Sequence, residues 1–321
     1  MKKISMNKNI NDSRVTFDEG YDQFIKHCKV RNLRPATIKH YDNTMLSIYK
    51  YIAPKTCIRD ITKVTVDGFI LYCRNKLAIK DVTINTYTRT LRTILYYFMK
   101  LGWMEEFKIP NVKFDKHIIE TYSDAELKLL LKKPNTKTCT FTQFRSWSIV
   151  NFLLGTGARV NSLVNIKNKD IDFENEVVLL DVTKNRQSAI IPLSITLISV
   201  LKEYMDIRGG ELDDYLFCTE FGKQADRQTI NTTINAYNKK CGVMKTGLHR
   251  FRHTFAKKWI LNNGDIFKLQ KILCHSDMRV VRNYVEMFTS DIQKDFNNYN
   301  PLESLQDGNR FNHKIKIKES K

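Results

Sequence analysis

Apolar residues in the first third of the chain recur every three or four positions, the spacing that places them on one face of an α-helix. Four segments show this pattern, at residues 17–28, 38–52, 66–77 and 84–98. Proline fits the first turn of a helix, so Arg34-Pro35 marks the start of the second segment. The pattern predicts a small bundle of four helices joined by short turns.

The hydrophobic pattern changes after residue 120. Ser123-Asp-Ala-Glu126 forms a capping box that predicts the start of a helix. A buried helix at 147–154 then breaks at Thr156-Gly157-Ala158. The short strands of an antiparallel sheet are predicted at 170–173, 177–180 and 189–192. This part of the chain is therefore expected to mix helices with a small sheet.

Further helices are predicted in the last third of the chain, at 194–208, 228–241 and 249–263. Gly264-Asp265 is expected to cap one more helix. The residues of that helix predicted to be buried are Ile266, Leu269, Ile272 and Leu273.

Length favours two domains over one large domain, which it leaves open, because single cores usually stop growing near ~250 residues. Pro110 ends the last helix of the bundle, and a basic, extended stretch follows it. The predicted division is a flexible basic arm at 1–13, a helical domain at 14–110, a linker at 111–120, a mixed α/β domain at 121–307 and a flexible basic tail at 308–321.

The chain is strongly basic, with 53 Lys and Arg against 34 Asp and Glu and a formal net charge of +19. Of these, 22 basic and 11 acidic residues lie within the first 116 positions, so more than half of the excess charge sits on a third of the chain. Such a surface favours a polyanionic partner, although charge alone leaves nucleic acid, an anionic membrane and solubility open. Candidate phosphate contacts on the helical domain are Lys39, Arg89, Arg92 and Lys100.

Several classes of protein are disfavoured by the sequence. No apolar run approaches the ~18 residues of a bilayer span, and the first residues lack the apolar core of a secretion signal. The seven cysteines form no Cys-x-x-Cys pair, so neither a disulfide framework nor a zinc site is predicted. Cys28 and Cys73 fall at core-facing positions and are expected to be reduced and buried. We therefore expect a cytoplasmic protein.

Candidate chemistry is concentrated in the second domain. Arg159 follows directly after the predicted helix break, and His249, Arg252 and His253 share one side of a later helix. Planar guanidinium groups pair with two phosphate oxygens at once, so two arginines suit a phosphodiester that gains charge as it is attacked. Clustered histidines on the same helix need a shared polar partner, and a phosphate satisfies them.

These residues, together with Lys184 before a hairpin strand, His275 in Leu273-Cys-His275 and Tyr284 nine residues later, form an ordered set. In its order and spacing this set resembles the catalytic core of the two-domain tyrosine recombinases, the phage-integrase family. The resemblance implies a mainly helical fold with a small antiparallel sheet, in which a SAM-like core-binding bundle precedes a mixed α/β catalytic domain.

The resemblance also implies a role for each residue. Tyr284 would be the nucleophile that forms a 3′-phosphotyrosyl bond. Lys184 would be the general acid for the departing 5′ oxygen, with Arg186 as a nearby competitor for this role. His275 would donate a hydrogen bond to the phosphate, His249 would help to accept the tyrosine proton, and His253 would support them. Charge stabilisation by these groups implies neither a cofactor nor a metal.

The partners that the resemblance implies are double-stranded DNA with inverted-repeat core sites and three further copies of the chain, which complete a homotetramer on paired sites. Accessory DNA-bending or directionality proteins are further expected partners. The segment 288–301 is predicted to form a short helix, for which docking on a neighbouring subunit and packing in cis remain open. In a prokaryotic cytoplasm such an enzyme would associate with the nucleoid.

The sequence departs from the family pattern at two positions. Ser162 stands where the family usually has Glu or Asp, so Arg159 must be oriented by another group, with Asp170, Asp172 and backbone carbonyls as the candidates. Cys274 replaces the usual glycine before His275, and its thiol is expected to make activity sensitive to oxidation or alkylation.

Integration, excision or transposition of a mobile element is the favoured role, with plasmid or chromosome-dimer resolution left open. A type IB topoisomerase or telomere resolvase would use the same chemistry. Relaxation of supercoils without defined sites would favour the topoisomerase. The alternative from another class of protein is a DNA-binding accessory protein that has lost catalysis.

Overall fold

The computed structural model describes residues 15–115, 120–180 and 188–274. The chain divides into two compact units, Met1–His117 and Ile118–Lys321, each with its own hydrophobic core. None of the helices in the described ranges is long and apolar enough to cross a membrane.

The first unit contains the four helices that the pattern predicts. Their bounds are α1 Phe17–Val30, α2 Pro35–Ile48, α3 Lys63–Asn75 and α4 Asp81–Leu101. A capping box between Thr16 and Glu19 starts α1, and Gly102 ends α4 in the left-handed conformation that glycine adopts readily. Phe17, Phe69 and Phe98 are fully buried between the helices. Cys28 and Cys73 lie in the same core as free thiols.

The second unit contains seven helices and a three-stranded sheet among its described residues. The helices are α5 Asp124–Leu131, α6 Phe141–Thr156, α7 Val160–Leu163, α8 Ile195–Arg208, α9 Arg227–Lys240, α10 Leu248–Leu261 and α11 Ile266–Ile272. The strands are β1 Ile171–Asp172, β2 Val177–Leu180 and β3 Ala189–Pro192. They pair antiparallel in the order β1-β2-β3, with Val177 opposite Pro192 and Leu180 opposite Ala189.

Helix α6 occupies the centre of the second unit and is buried on all sides. Phe144, Ile149 and Phe152 are almost inaccessible to solvent. The hydroxyl groups of Ser146, Ser148 and Thr156 donate to carbonyl oxygens one turn earlier in the helix, so these polar side chains are satisfied without water. Helices α8, α9 and α10 pack around α6.

The predicted mainly helical fold with a small antiparallel sheet is confirmed. The burial predicted for α11 is wrong at Ile266, which is 36% exposed, and is met only in part at Ile272, whereas Leu269 and Leu273 are fully buried. Ile266 is the first residue of α11, directly after the capping Asp265, where the helix has not yet reached its packing partners. The predicted arm at 1–13, the predicted helix at 288–301 and the predicted tail at 308–321 lie outside the described residues.

Candidate active site

The turn between α6 and α7 places Arg159 at the edge of the buried core. Gly157 ends α6 with a φ of 62°, and a Cβ there would lie 2.6 Å from Cδ1 of Phe255. A larger residue would be strained at this φ and would have to push aside the side chains of Phe255 and Leu273. Two residues later, Arg159 forms the N-cap of α7 and is half-buried. The predicted helix break therefore serves to bring Arg159 beside α10.

Arg252 joins three elements of the second unit. It lies on α10 and is only 5% exposed. Its Nη1 donates to the carbonyl oxygen of Gly157 at 2.7 Å, and its Nη2 donates to the carbonyl oxygen of Leu273 at 2.5 Å. Charged donors make the stronger protein hydrogen bonds, so this guanidinium holds the α6–α7 turn and the end of α11 against α10.

Arg159 contacts the same end of α11. Its Nη1 donates to the carbonyl oxygen of Cys274 at 3.4 Å, one residue beyond the carbonyl group that Arg252 binds. The two arginines predicted to bind a phosphate thus converge from different elements on consecutive peptide groups. His275, the next residue in the sequence, lies outside the described residues, as do Lys184 and Tyr284.

His249 lies on the first turn of α10 and is exposed. Its pKa is lowered by partial burial and by the nearby guanidinium groups of Arg227, Arg252 and Arg159. The lowered pKa keeps the imidazole neutral at neutral pH, the form that can accept a proton. Solvent screens part of this effect because the ring is exposed.

His253 lies one turn further along α10 and is half-buried. Burial lowers its pKa to about 4, with contributions from His249, Arg252 and Arg250. His253 is therefore neutral at neutral pH and adds no positive charge to a site that already holds several cations.

Arg250 faces the start of the second unit. Its guanidinium donates to the carbonyl oxygens of Glu120 and Thr246 and lies 5.9 Å from the centre of the Tyr122 ring. Tyr122 is 2% exposed, and its backbone N–H donates to Thr254 Oγ1 at 3.1 Å. These contacts fix the first residues of the unit on α10.

An open cleft of about 760 Å³ adjoins His249. Its lining residues include Asp226, Arg227, Gln228, Asn231, Thr246 and His249. Arg227, the first residue of α9, was missed by the sequence analysis. The signal was present, because Asp226 caps α9 by accepting from Thr229 N at 2.7 Å, and a basic residue directly after a cap lies at an exposed helix end.

The candidate phosphate contacts of the first unit differ in their surroundings. Lys39, Arg89 and Lys100 are exposed on α2 and α4. Arg89 also lines a hollow of about 240 Å³ between these helices, together with Thr37, His40, Tyr41, Thr86, Thr90 and Thr93. Arg92 instead donates to Asn111 Oδ1 at 2.7 Å and to the carbonyl oxygen of Ile109 at 3.4 Å. Arg92 thus holds the chain that leaves the bundle.

The described ranges contain no cluster of three or more His, Cys, Asp or Glu side chains that could hold a metal ion. The Cys274 thiol has a pKa raised by burial, against the opposing effect of Arg159 and Arg252. A raised pKa lowers the thiolate fraction and hence the rate of alkylation. Sensitivity of activity to thiol reagents stays a prediction.

Comparison with known proteins gives matches across both units. The phage integrase family model matches residues 121–290, and the phage integrase SAM-like domain model matches residues 16–116. Tyrosine recombinase XerA of Thermococcus onnurineus (strain NA1) is 24% identical over 285 residues, which cover 86% of this chain and 94% of that protein. A probable integrase/recombinase of Acholeplasma phage L2 is 27% identical over 222 residues, 66% of this chain and 74% of its own length.

Solved structures share the same fold. The Tn1549 transposon integrase in complex with transposon right end DNA superposes with a TM-score of 0.72 at 18% identity, covering 87% of this chain and 99% of that one. The match to the phage integrase family model covers more than half of the chain. It includes α10 with His249, His253 and the buried Arg252. The chain therefore belongs to the phage integrase family and is a site-specific tyrosine recombinase.

Proposed function

We propose that Arg159 and Arg252 bind the scissile phosphate of a DNA strand and that Tyr284 cleaves it. The observation that carries this assignment is the convergence of both guanidinium groups on the peptide carbonyls of Leu273 and Cys274, beside a neutral His249. In-line attack leaves negative charge on the phosphate oxygens, and preorganised cations lower that barrier most effectively.

The proposed reaction conserves the phosphodiester bond energy. The Tyr284 oxygen forms a bond to phosphorus while the bond from phosphorus to the 5′ oxygen breaks. His249 takes the tyrosine proton, and Lys184 gives a proton to the departing 5′ oxygen. A 5′ hydroxyl of a partner strand then attacks the phosphotyrosyl bond in the reverse sense and reseals the strand. His275 would donate to the phosphate, and His253 would support the neutral ring of His249.

A trapping experiment tests the chemistry. Wild-type protein, Tyr284→Phe and Arg252→Ala are incubated with a DNA site that is nicked close to the cleavage position. Cleavage then releases a short fragment with a free 5′ hydroxyl, which diffuses away and leaves the covalent adduct trapped. We expect a covalent adduct with wild type, none with Tyr284→Phe, and roughly a hundredfold slower formation with Arg252→Ala, the usual cost of one lost oxyanion donor. Tyr72→Phe, a half-buried tyrosine on α3, is the matched control. Equal adduct from wild type and Tyr284→Phe would overturn the assignment.

We further propose that the cleft beside His249 and the exposed basic residues of the bundle contact DNA phosphates. Arg227 and His249 line the cleft, whereas Lys39, Arg89 and Lys100 contribute positive charge on the first unit. Lysine and arginine contacts release counterions, so affinity should fall steeply with salt. Inverted-repeat core sites and a homotetramer on paired sites belong to the same proposal.

We propose integration, excision or transposition of a mobile element as the biological role. The similar proteins include a probable phage integrase/recombinase and a transposon integrase, which support this role. They also include a Xer tyrosine recombinase, and resolution of DNA is therefore the second candidate role. Sequencing the DNA trapped on the protein in cells separates them. Junctions of one mobile element support the first role, and a fixed chromosomal or plasmid site supports the second. Relaxation of supercoils without a defined site would favour a topoisomerase instead.

A further inference from the structure

Arg159 is not followed, three residues later, by the Glu or Asp that the family resemblance implies as its orienting group. Ser162 stands at that position, is 6% exposed, and carries no charge to pair with the guanidinium group of Arg159. An arginine that must present two donors to a phosphate needs acceptors behind it, because a freely rotating side chain loses entropy each time it binds.

The two nearby aspartates act elsewhere. Asp170 accepts from the backbone N–H of Lys167 at 2.8 Å and closes the short turn before β1. Asp172 accepts from the backbone N–H groups of Glu174 and Asn175 at 3.0 and 2.9 Å, and from Nδ2 of Asn175 at 2.7 Å. Both carboxylates accept hydrogen bonds within local turns. Of the three candidates to orient Arg159, this leaves the backbone carbonyl groups.

The end of α11 supplies such carbonyls. The last carbonyl groups of a helix have no partner within the helix and carry the negative end of its dipole. Those of Leu273 and Cys274 accept from Arg252 Nη2 and Arg159 Nη1. Cys274 adopts a φ of 50°, and its N–H donates to the carbonyl oxygen of Lys271 at 3.0 Å. This left-handed residue turns the chain at the arginines.

We infer that the carbonyl group of Cys274 replaces the missing carboxylate as the acceptor that orients Arg159, beside the carbonyl group of Leu273 that orients Arg252. The inference rests on the proposed role of the two arginines in binding the phosphate. At 3.4 Å the bond from Arg159 is long, so the guanidinium group is held in place but remains available to a phosphate. The position of α11 then sets the orientation of both arginines, and Cys274 is a positioning residue.

The test perturbs α11 and supplies the carboxylate at residue 162. Cys274→Val puts a β-branched side chain on a left-handed backbone and should shift the carbonyl groups. We expect adduct formation to slow by roughly tenfold or more, since small misplacements of a reacting group are costly. Adding Ser162→Asp to this variant should restore at least a third of the lost rate. The thermal midpoint of the double variant should equal that of Cys274→Val, because a general repair of the structure would raise the thermal midpoint as well as the rate of adduct formation.

Asn161→Asp is the matched control. It adds the same charge one position earlier, at an exposed residue of α7, and should restore nothing. If Cys274→Val does not fold, Asp265→Ala loosens α11 from its other end, where Asp265 Oδ1 accepts from Lys268 N at 2.7 Å. The same rescue by Ser162→Asp is then expected.

Failure of Ser162→Asp to restore the rate, or equal restoration by Asn161→Asp, would overturn the inference. An unchanged rate in folded Cys274→Val would also overturn it. Failure of the proposed function is recognised by a different result. If that function is wrong, Arg159→Ala forms the adduct at the wild-type rate.

Discussion

Replacement of Arg252 by lysine should destabilise the second unit as well as slow cleavage. The guanidinium group bonds two carbonyl oxygens at once, those of Gly157 and Leu273, from a site that is 5% exposed. A lysine ammonium at the end of a single stem can reach one of them. The other carbonyl would be left buried without its donor, at a cost of about 1–3 kcal/mol. We expect the free energy of unfolding to fall by about 2 kcal/mol.

Urea unfolding followed by tryptophan fluorescence measures this loss. Trp147 and Trp259 report on the second unit and Trp103 on the first, so a Trp103→Phe background isolates the relevant transition. Arg227→Lys is the matched control, because Arg227 is exposed at the start of α9 and its replacement should change the stability by less than about 0.5 kcal/mol. If Arg252→Lys unfolds at the same urea concentration as this control, the bridging role derived from the two hydrogen bonds is refuted.

Three further predictions concern charge, salt and backbone strain. Because the pKa of His253 is lowered to about 4, the unfolded chain takes up a proton before the folded one as pH falls below 6.5. Stability should therefore fall between pH 6.5 and 4, by at most about 1.4 kcal/mol per pH unit, and His253→Gln should flatten this profile in acid unfolding experiments. Arg227→Gln should reduce the slope of log affinity against log salt by about 0.9 in a DNA-binding titration, whereas Arg74→Gln, which removes a residue already paired with Asp81, should leave it unchanged. Cys274→Gly should raise the stability by about 1 kcal/mol because glycine adopts a φ of 50° without strain, and a lower thermal midpoint would contradict this.

Most elements of the fold could be predicted from the sequence because their signals are local, although α7 was not predicted and α6 begins at Phe141 rather than at 147. The capping box at Ser123 and the glycine that ends α6 depend on residues within one turn of each other. The strands β2 and β3 were predicted with their observed bounds. Ile266 shows the limit of such reasoning, since periodicity places a residue on a face but does not show whether a partner covers that face.

The candidate site was predictable in its residue types and less so in its contacts. Arg159 and Arg252 lie 93 positions apart, and nothing in their spacing shows that both bind the end of α11. Arg92 illustrates the same point, because its charge predicts a phosphate contact whereas its side chain bonds Asn111. The local cap signal placed Arg227 at an exposed helix end, but its position beside His249 in the same cleft depends on the tertiary fold. Long-range pairing of this kind is a property of the core and not of local sequence.

The burial of α6 makes one side of the site, the turn that carries Arg159, more rigid than the other side, which α11 forms. A helix with neighbours on every side and its own hydroxyl groups satisfied cannot shift without opening the core, so the turn that carries Arg159 is anchored. Helix α11 has only seven residues, and Phe267 on it is 71% exposed. Amide hydrogen exchange should accordingly be slowest in α6 and much faster in α11. Any adjustment of the phosphate pocket on DNA binding would then come from α11, whose terminal carbonyl groups bind both guanidinium groups, while the backbone of the α6–α7 turn stays in place.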